Sequence, residues 1–226
     1  MSEIVFDRVG HDFDGETVVD DVSLVLGERR IGIVGANGSG KSTLARMVNG
    51  LIVPKRGRVS VDGLDVARRG RDVRRKVGFV FTNADNQIVM PTVREDVAFT
   101  LRRHKLPRDE AEARVDAVLD RFGLSPLADR PAHRLSGGQK QLLALASVLV
   151  AEPSIVVADE PTTLLDARNA RMVADHFAAL DQQLVVVTHQ LDLVEDFDRV
   201  IVVEAGRIVA DDEPTTALDA YRALIG

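Results

Sequence analysis

A glycine-rich segment between a β-branched run and a helical stretch limits the folds open to this chain more than any other feature. It lies between the apolar run 31–34 and the helical stretch 43–49 and reads Gly35-Ala36-Asn37-Gly38-Ser39-Gly40-Lys41-Ser42-Thr43. This is the phosphate-loop pattern G-x-x-x-x-G-K-[ST], whose glycines let backbone N–H groups curl around phosphate oxygens. Lys41 can then reach the β and γ phosphates, and the Ser42 hydroxyl can bind Mg²⁺. A strand, a loop and a helix in this order predict an α/β fold.

Short β-branched runs alternate with amphipathic segments along the chain, at 3–9, 22–26, 30–34, 58–62, 77–81, 155–158, 184–188 and 200–204. In the second half this alternation predicts a mainly parallel sheet with helices on both faces, whereas the closely spaced early runs predict an antiparallel sheet. Ala205-Gly206 is typical of a hairpin turn. Helices are expected over 107–123, which carries an apolar stripe, and over 139–151, which is apolar all round.

Composition excludes several classes of function. Lys plus Arg number 29 and Asp plus Glu 35, which gives a net charge of −6, so the chain is not suited to cover a nucleic-acid backbone through bulk charge. The absence of cysteine excludes disulfide frameworks, cysteine-ligated metals and thiol nucleophiles, and it favours the cytoplasm. The uncharged stretch 141–151 is too short to span a bilayer, and the first residues lack the pattern of an export signal.

Two further segments carry polar groups that suit phosphoryl transfer. The apolar run 155–158 ends in Asp159 and Glu160, which suit a magnesium ligand and a general base for the attacking water. The apolar helix is opened by Leu135-Ser136-Gly137-Gly138-Gln139, whose backbone N–H groups and hydroxyl form a second anion-binding corner. Taken alone, the first pattern is also typical of a strand that meets solvent, and the second of a simple Ser N-cap.

With these three motifs in this order, the sequence resembles the nucleotide-binding subunits of ABC (ATP-binding cassette) transporters, for which 135–139 is the diagnostic segment. The resemblance covers essentially the whole chain and implies an ABC-type P-loop ATPase that binds ATP and Mg²⁺. It also implies one ABC ATPase domain over 1–226. A RecA-like, mainly parallel core with an antiparallel β subdomain would occupy 1–82 and 151–226, and an inserted α-helical subdomain would occupy 83–150.

The same resemblance implies roles for single residues. Phe13 stands where the family places an aromatic ring against adenine, and Asp166 stands in the loop through which two subunits communicate. His189 matches the family's switch histidine, which can bond the γ phosphate and position the water. Where the family has a glutamine near the metal, this chain has Thr82, which is too short to span the same gap. Gln87, or a water bridging to Thr82, is the alternative contact with the metal shell.

Residues 81–87 and 91–99 are similar to the ATPases of energy-coupling-factor (ECF) transporters, which import vitamins and metal ions, and 28–35 with 160–166 look most like the biotin-uptake ATPases. In that family two ATPases drive a transmembrane coupling protein and a substrate-binding membrane protein. The 136–139 corner of one chain completes the ATP site of the other, so the resemblance implies a dimer, and a homodimer would have two competent sites. The chain is then expected in the cytoplasm, peripheral on the inner face of the cell membrane, with its membrane partner docked near 82–99.

Other classes of function stay open at this point. A soluble ABC-type ATPase that is not coupled to transport, for example in iron–sulfur assembly, DNA repair or translation, would share the motifs, although the coiled coil of repair members and the second cassette of translation members are not found. A regulatory ATP binder that does not hydrolyse ATP would not need Glu160 and His189. A nucleoside kinase also uses a phosphate loop, but its chemistry has no need of 135–139.

Overall fold

The computed structural model describes residues 2–226. Its strands are β1 (Ile4–Phe13), β2 (Glu16–Leu26), β3 (Arg30–Val34), β4 (Arg56–Val61), β5 (Leu64–Asp65), β6 (Val77–Val80), β7 (Ile155–Asp159), β8 (Gln183–Val187), β9 (Arg199–Glu204) and β10 (Arg207–Asp212). Its helices are α1 (Lys41–Val48), α2 (Gly70–Lys76), α3 (Val93–Leu101), α4 (Arg108–Arg121), α5 (Gly137–Leu149), α6 (Ala167–Ala178) and α7 (Pro214–Ile225). Within the described residues, none of these helices has the length and apolar character needed to cross a bilayer.

A six-stranded sheet in the order β10-β9-β3-β8-β7-β6 carries the phosphate loop. β3 pairs in parallel with β8 and with β9, and β8 pairs in parallel with β7. Every residue of β7 and β8 is buried, which accounts for their nearly continuous apolar sequences. At the far edge β9 and β10 form the antiparallel hairpin predicted at Ala205-Gly206. The α/β fold class with a mainly parallel sheet is confirmed.

A second, four-stranded sheet in the order β2-β1-β4-β5 is antiparallel, as the early runs predict. β1 continues to Phe13, well past the predicted run 3–9. The pairing of β1 with β2 shifts register between Phe6 and Val9 and again between Val9 and His11. Because such bulges break the alternation of buried and exposed residues, the sequence pattern ends before the strand does.

Contacts between backbone positions divide the chain into two compact units. We call 2–79, 154–160 and 180–226 the core unit, and 80–153 with 161–179 the helical unit. The predicted boundaries, 1–82 with 151–226 and 83–150, placed 161–179 in the core. The structure groups this segment with the helical unit, in which α6 packs against α5. The helices predicted at 107–123 and 139–151 correspond to α4 and α5, both in the helical unit.

Candidate functional site

The phosphate loop joins β3 to α1 in the core unit, and its three glycines have backbone angles that other residues rarely adopt, two of them with a backbone oxygen close by. Gly35 has φ of 152° and Gly40 has φ of 101°. A Cβ on Gly35 would lie 2.1 Å from the Val203 carbonyl oxygen, and one on Gly40 would lie 2.4 Å from the Val18 carbonyl oxygen. The loop therefore requires glycine at both positions for reasons of backbone geometry and of space. These contacts hold the loop against the two sheets of the core unit.

The Lys41 ammonium is hydrogen-bonded to backbone carbonyl groups of the phosphate loop. Lys41 is 5% exposed, and its Nζ donates hydrogen bonds to the carbonyl oxygens of Gly35 at 2.8 Å and Ala36 at 2.7 Å. Burial lowers the pKa of Lys41, and the nearby carboxylates of Glu160, Asp159 and Glu204 oppose that shift. Because both acceptors belong to the loop itself, phosphate oxygens can take their place without the displacement of another side chain.

Ser39 adds a second group suited to phosphate. Its side chain is buried, and within residues 2–226 the hydroxyl has no hydrogen-bond partner. A buried hydroxyl without a partner is costly, so a phosphate oxygen in the loop would satisfy it. Asn37, Gly38 and Thr43 also lie where the sequence predicted them, within or directly after this loop.

Ser42 and Asp159 meet beside the loop. The Ser42 hydroxyl donates to Oδ1 of Asp159 at 2.6 Å, and Asp159 is only 1% exposed. A hydroxyl and a carboxylate fit Mg²⁺, which uses oxygen ligands and commonly takes one or two carboxylates, several waters and the substrate's phosphates. These residues are the predicted metal ligands, and the structure brings them together from positions 117 residues apart.

Arg46 is a site residue that the sequence analysis missed. Its Nη2 lies 3.2 Å from Oδ2 of Asp159. The guanidinium therefore pairs with one carboxylate oxygen of Asp159, while the Ser42 hydroxyl bonds the other. Ser42 and Arg46 lie one helical turn apart on α1 and therefore share a face. That spacing was the available signal, but a lone arginine on a helix is ordinarily solvent-exposed.

Glu160 and His189 form a side-chain pair at the ends of neighbouring parallel strands, β7 and β8. His189 Nδ1 lies 2.8 Å from Oε2 of Glu160, and the His189 backbone N–H donates to the same oxygen at 3.4 Å. The Glu160 backbone has φ of 50° and its N–H donates to the Val187 carbonyl at 2.8 Å. Two contacts to one oxygen fix the orientation of the Glu160 carboxylate. The core unit thus brings Lys41, Ser42, Asp159, Glu160 and His189 together.

Phe13 ends β1 in the core unit and is 49% exposed. Its ring packs edge-on against the His11 ring, with centroids 4.7 Å apart and an angle of 75° between the planes. An edge-to-face contact holds an aromatic ring while leaving a face available for stacking. The predicted contact of Phe13 with adenine stays a prediction, and this geometry is compatible with it.

The segment 136–139 opens α5 with a capping box in the helical unit. The Gln139 backbone N–H donates to the Ser136 hydroxyl, and the Gln139 side chain accepts from the Ser136 backbone N–H. The corner predicted to bind phosphate is therefore an ordered helix N-terminus with its backbone dipole intact. Gly137 and Gly138 supply its first two helical positions.

Asn169 connects this corner to Asp166 and is a second residue that the sequence analysis missed. A Cβ on Gly138 would lie 2.3 Å from Oδ1 of Asn169. Asp166 caps α6 by accepting from the Asn169 backbone N–H at 2.9 Å and from its side-chain Nδ2 at 2.7 Å. These hydrogen bonds, led by the backbone one, hold the pKa of Asp166 below its usual value. The N-cap pattern at Asp166 could have marked Asn169.

Gln87, which the sequence analysis considered for the metal shell together with Thr82, makes two side-chain hydrogen bonds within the helical unit. Oε1 accepts from the Phe81 backbone N–H at 3.2 Å, and Nε2 donates to the Ala144 carbonyl at 2.9 Å. The amide thus ties the segment that contains Thr82 to α5. The metal roles of Gln87 and Thr82 stay predictions.

Comparisons with known proteins identify the family. A family model described as ABC transporter matches residues 19–163, which include the phosphate loop, 135–139 and Asp159 with Glu160. The biotin transport ATP-binding protein BioM of Rhizobium etli is 44% identical over 221 residues, 98% of each chain. The energy-coupling factor transporter ATP-binding protein EcfA1 of Bacillus licheniformis is 44% identical over 200 residues, 86% of this chain and 71% of the relative.

A solved structure has the same fold. CbiO1 of Clostridium perfringens, described as part of the ABC transporter complex CbiONQ, superposes with a TM-score of 0.84 and 33% sequence identity. The match covers 98% of this chain and 92% of the other. Sequence and structure therefore point to one and the same family.

Proposed function

This chain belongs to the ABC transporter family as an ATPase subunit of the ECF type, and from that premise we propose that it powers a vitamin or metal-ion importer, with biotin as the first candidate substrate. Its ATP hydrolysis is coupled to transport. The grouping of Lys41, Asp159 and the Glu160–His189 pair around one phosphate loop carries the ATPase part of the proposal. The importer role and the substrate rest on the similarity to BioM and EcfA1.

The core unit holds the groups that phosphoryl transfer needs. Mg²⁺ held by Ser42 and Asp159 would neutralise charge on the β and γ phosphate oxygens. Lys41 would exchange its carbonyl partners for those oxygens, and the loop's N–H groups would bind the rest. Arg46 orients the Asp159 carboxylate through its 3.2 Å contact with Oδ2. The protein thus acts chiefly through position and electrostatics, as this reaction requires.

Glu160 is the proposed general base. As a water oxygen bonds to the γ phosphorus, the bond from phosphorus to the bridging oxygen breaks, ADP leaves, and the Glu160 carboxylate accepts the water's proton. His189 contacts Oε2 of Glu160 through its ring and its backbone N–H, and these two contacts orient the carboxylate that accepts the proton. In the ATP-bound state we place Nε2 of the His189 ring on the γ phosphate, while Nδ1 keeps its contact with Glu160.

We assign the second half of each ATP site to another copy of this ATPase. The helix corner at 136–139 is ordered by its capping box, and the Asp166–Asn169 contact fixes the neighbouring loop. An ordered helix N-terminus suits a phosphate, and two identical chains related by a two-fold axis would supply two such corners. ATP would hold this dimer together, and hydrolysis would release it.

The membrane partner is assigned to the surface that includes 82–99. The Gln87 side chain connects the segment 81–87 to α5 by hydrogen bonds. A displacement of this surface would therefore be transmitted along α5 to the 136–139 corner, where that helix begins. This arrangement gives Gln87 the linking role that the family's usual glutamine would have at Thr82. The chain would then lie peripherally on the inner face of the cell membrane.

The decisive experiment is co-expression with the chromosomal neighbours, followed by affinity purification in detergent. We expect an integral membrane coupling protein and a substrate-binding membrane protein to co-purify and the complex to hydrolyse ATP. Radiolabelled biotin binding and uptake by the reconstituted complex then test the substrate, with Co²⁺ and Ni²⁺ as alternative substrates. The E160Q variant is the matched control: it should assemble fully but lack hydrolysis.

A fully active chain without any membrane partner would refute the importer role and favour a soluble ABC-type ATPase. That alternative has less support, because the BioM and EcfA1 relatives are both named for transport. A complex that assembles but binds neither biotin nor these metal ions would refute only the substrate assignment.

A further inference from the structure

The densest group of basic residues in the chain lies outside the ATP site, on and before α2 of the core unit. Its six members are Arg68, Arg69, Arg71, Arg74, Arg75 and Lys76. They fall within nine residues of a chain whose net charge is −6. All five arginines are exposed, and Val73 is the buried residue of the helix. One side chain therefore anchors α2, and guanidinium groups cover its outer face.

Only part of this charge is compensated. Asp72 lies 2.7 Å from Nε of Arg69 and 3.6 Å from Nη1 of Arg75, and Asp62 lies 2.6 Å from Nζ of Lys76. Within residues 2–226 the other three arginines, 68, 71 and 74, form no ion pair. Like charges this close repel one another, so the cluster raises the energy of the isolated chain slightly and is relieved by an external anionic surface.

We propose that this surface, the α2 basic face formed by Arg68, Arg71, Arg74 and Arg75, binds the anionic head groups of membrane phospholipids. Clusters of four to eight Lys and Arg residues that are held close to a membrane, or lie on one face of an amphipathic helix, attract anionic lipid. The inference rests on the proposed function only for bringing the chain to a membrane. It adds a direct contact with the bilayer beside the contact with the coupling protein.

The composition of the face favours lipid over a protein partner. Protein interfaces are organised around a buried apolar or aromatic centre, and the one large apolar side chain of α2, Val73, already lies in the core. A second basic group in the helical unit differs in this respect: Arg102 stacks over the half-exposed Phe99 ring, 5.1 Å from its centroid. That mixed aromatic and basic surface suits a protein partner, whereas a purely cationic face suits the phosphate head groups of a bilayer surface.

The test uses the purified full-length chain and sedimentation with vesicles. Vesicles of phosphatidylcholine are compared with vesicles containing about one third phosphatidylglycerol, at about 0.1 M and about 1 M salt, where the Debye length is roughly 10 Å and 3 Å. The triple variant R68Q/R71Q/R74Q removes the three arginines without ion pairs and so disturbs no internal contact of that kind. Each basic residue near an anionic surface contributes roughly fivefold, so about a hundredfold loss of partitioning is expected.

The matched control is R102Q/R103Q/K105Q, which removes the same number of exposed positive charges elsewhere. We expect it to keep most of the binding, and both variants to keep wild-type ATPase activity. Equal losses in the two variants would show an effect of net charge alone and overturn the proposal. The proposal would also be overturned if the wild-type chain did not bind anionic vesicles at low salt, or if it bound duplex DNA through the same arginines as tightly as lipid.

A further arm separates this inference from the proposed function. Co-purification with the coupling protein in detergent, without a bilayer, should be unchanged in R68Q/R71Q/R74Q. If that variant loses the coupling protein, α2 is part of the protein interface and the lipid assignment is wrong, although the importer role stands. If the wild-type chain binds anionic vesicles but has no coupling protein, the proposed function fails while the lipid contact holds.

Discussion

Replacing Asp96 by alanine should destabilise the helical unit more than any surface substitution in the same region. Asp96 lies in the first turn of α3 and is 3% exposed. Its Oδ1 accepts from the backbone N–H groups of Val89 at 2.8 Å and Met90 at 3.0 Å, and its Oδ2 accepts from the Ser147 hydroxyl on α5 at 2.9 Å. One carboxylate therefore orders the loop after Gln87 and joins it to two helices.

The magnitude follows from the donors that D96A leaves behind. A buried donor without a partner costs about 1–3 kcal/mol, and hydrogen bonds to a charged group lie at the upper end. Val89 is largely exposed, so its N–H can recover a bond to water, and the Ser147 hydroxyl can turn to a carbonyl one turn back on α5. The Met90 N–H is then the donor left without a partner, so we expect a loss of about 1–3 kcal/mol in the free energy of unfolding, toward the upper end of that range.

Urea denaturation measures this loss, as the change in midpoint multiplied by the m-value. D96N keeps one acceptor oxygen, so its loss in the free energy of unfolding should be about half that of D96A. D116A is the matched control in the helical unit, because the Asp116 side chain is 62% exposed and pairs with Arg94 Nη2 at 2.7 Å. Exposed pairs of this kind contribute about 1 kcal/mol or less. A loss below about 1 kcal/mol for D96A, or equal losses for D96A and D116A, would refute the reasoning.

Three further predictions concern the ATP site. E160Q should lower the rate of ATP hydrolysis at least about a hundredfold without preventing ATP binding. An ATP-bound dimer should then accumulate and be visible by size-exclusion chromatography. Undiminished hydrolysis would exclude Glu160 as the general base. K41M should weaken ATP binding at least about tenfold in a fluorescent-nucleotide titration. Because the lowered pKa of Lys41 means that folding disfavours its cation near neutral pH, K41M should not lower the thermal midpoint of the nucleotide-free protein, and a clear decrease would contradict this sign. G138A should destabilise the protein by about 1–3 kcal/mol, because its Cβ would lie 2.3 Å from Oδ1 of Asn169. G137A is the control and should not be destabilised, because the nearest contact of its Cβ would be 3.7 Å. Similar midpoints of urea denaturation for the two variants would refute this.

The helices show where sequence patterns were sufficient. α4 and α5 were predicted because each has a long, regular apolar pattern. The structure adds α2, α3, α6 and α7, which the patterns did not predict. α3 is marked by a capping box at Thr92 and Glu95, and α6 by Asp166 as N-cap, so their signals lie in the end residues and not in the periodicity.

The sequence by itself determined the chemistry of the ATP site. Its phosphate loop, the Asp159-Glu160 dipeptide and the 135–139 segment are contiguous motifs, and short motifs retain their local geometry wherever the chain places them. The alternation of strands and helices likewise predicted the fold class, because few layered architectures can bury the apolar faces of strands and helices that alternate along the chain.

Only the tertiary structure decided which side chains support these motifs. The contact of Arg46 with Asp159, the pairing of His189 with Glu160 and the bond of Gln87 to α5 join residues 113, 29 and 57 positions apart. The tertiary structure also placed 161–179 with the helical unit. Such contacts form when strands pair and helices pack, and these steps bring together positions that no local pattern relates. For that reason the reacting groups could be predicted from the sequence, while the groups that orient them could not.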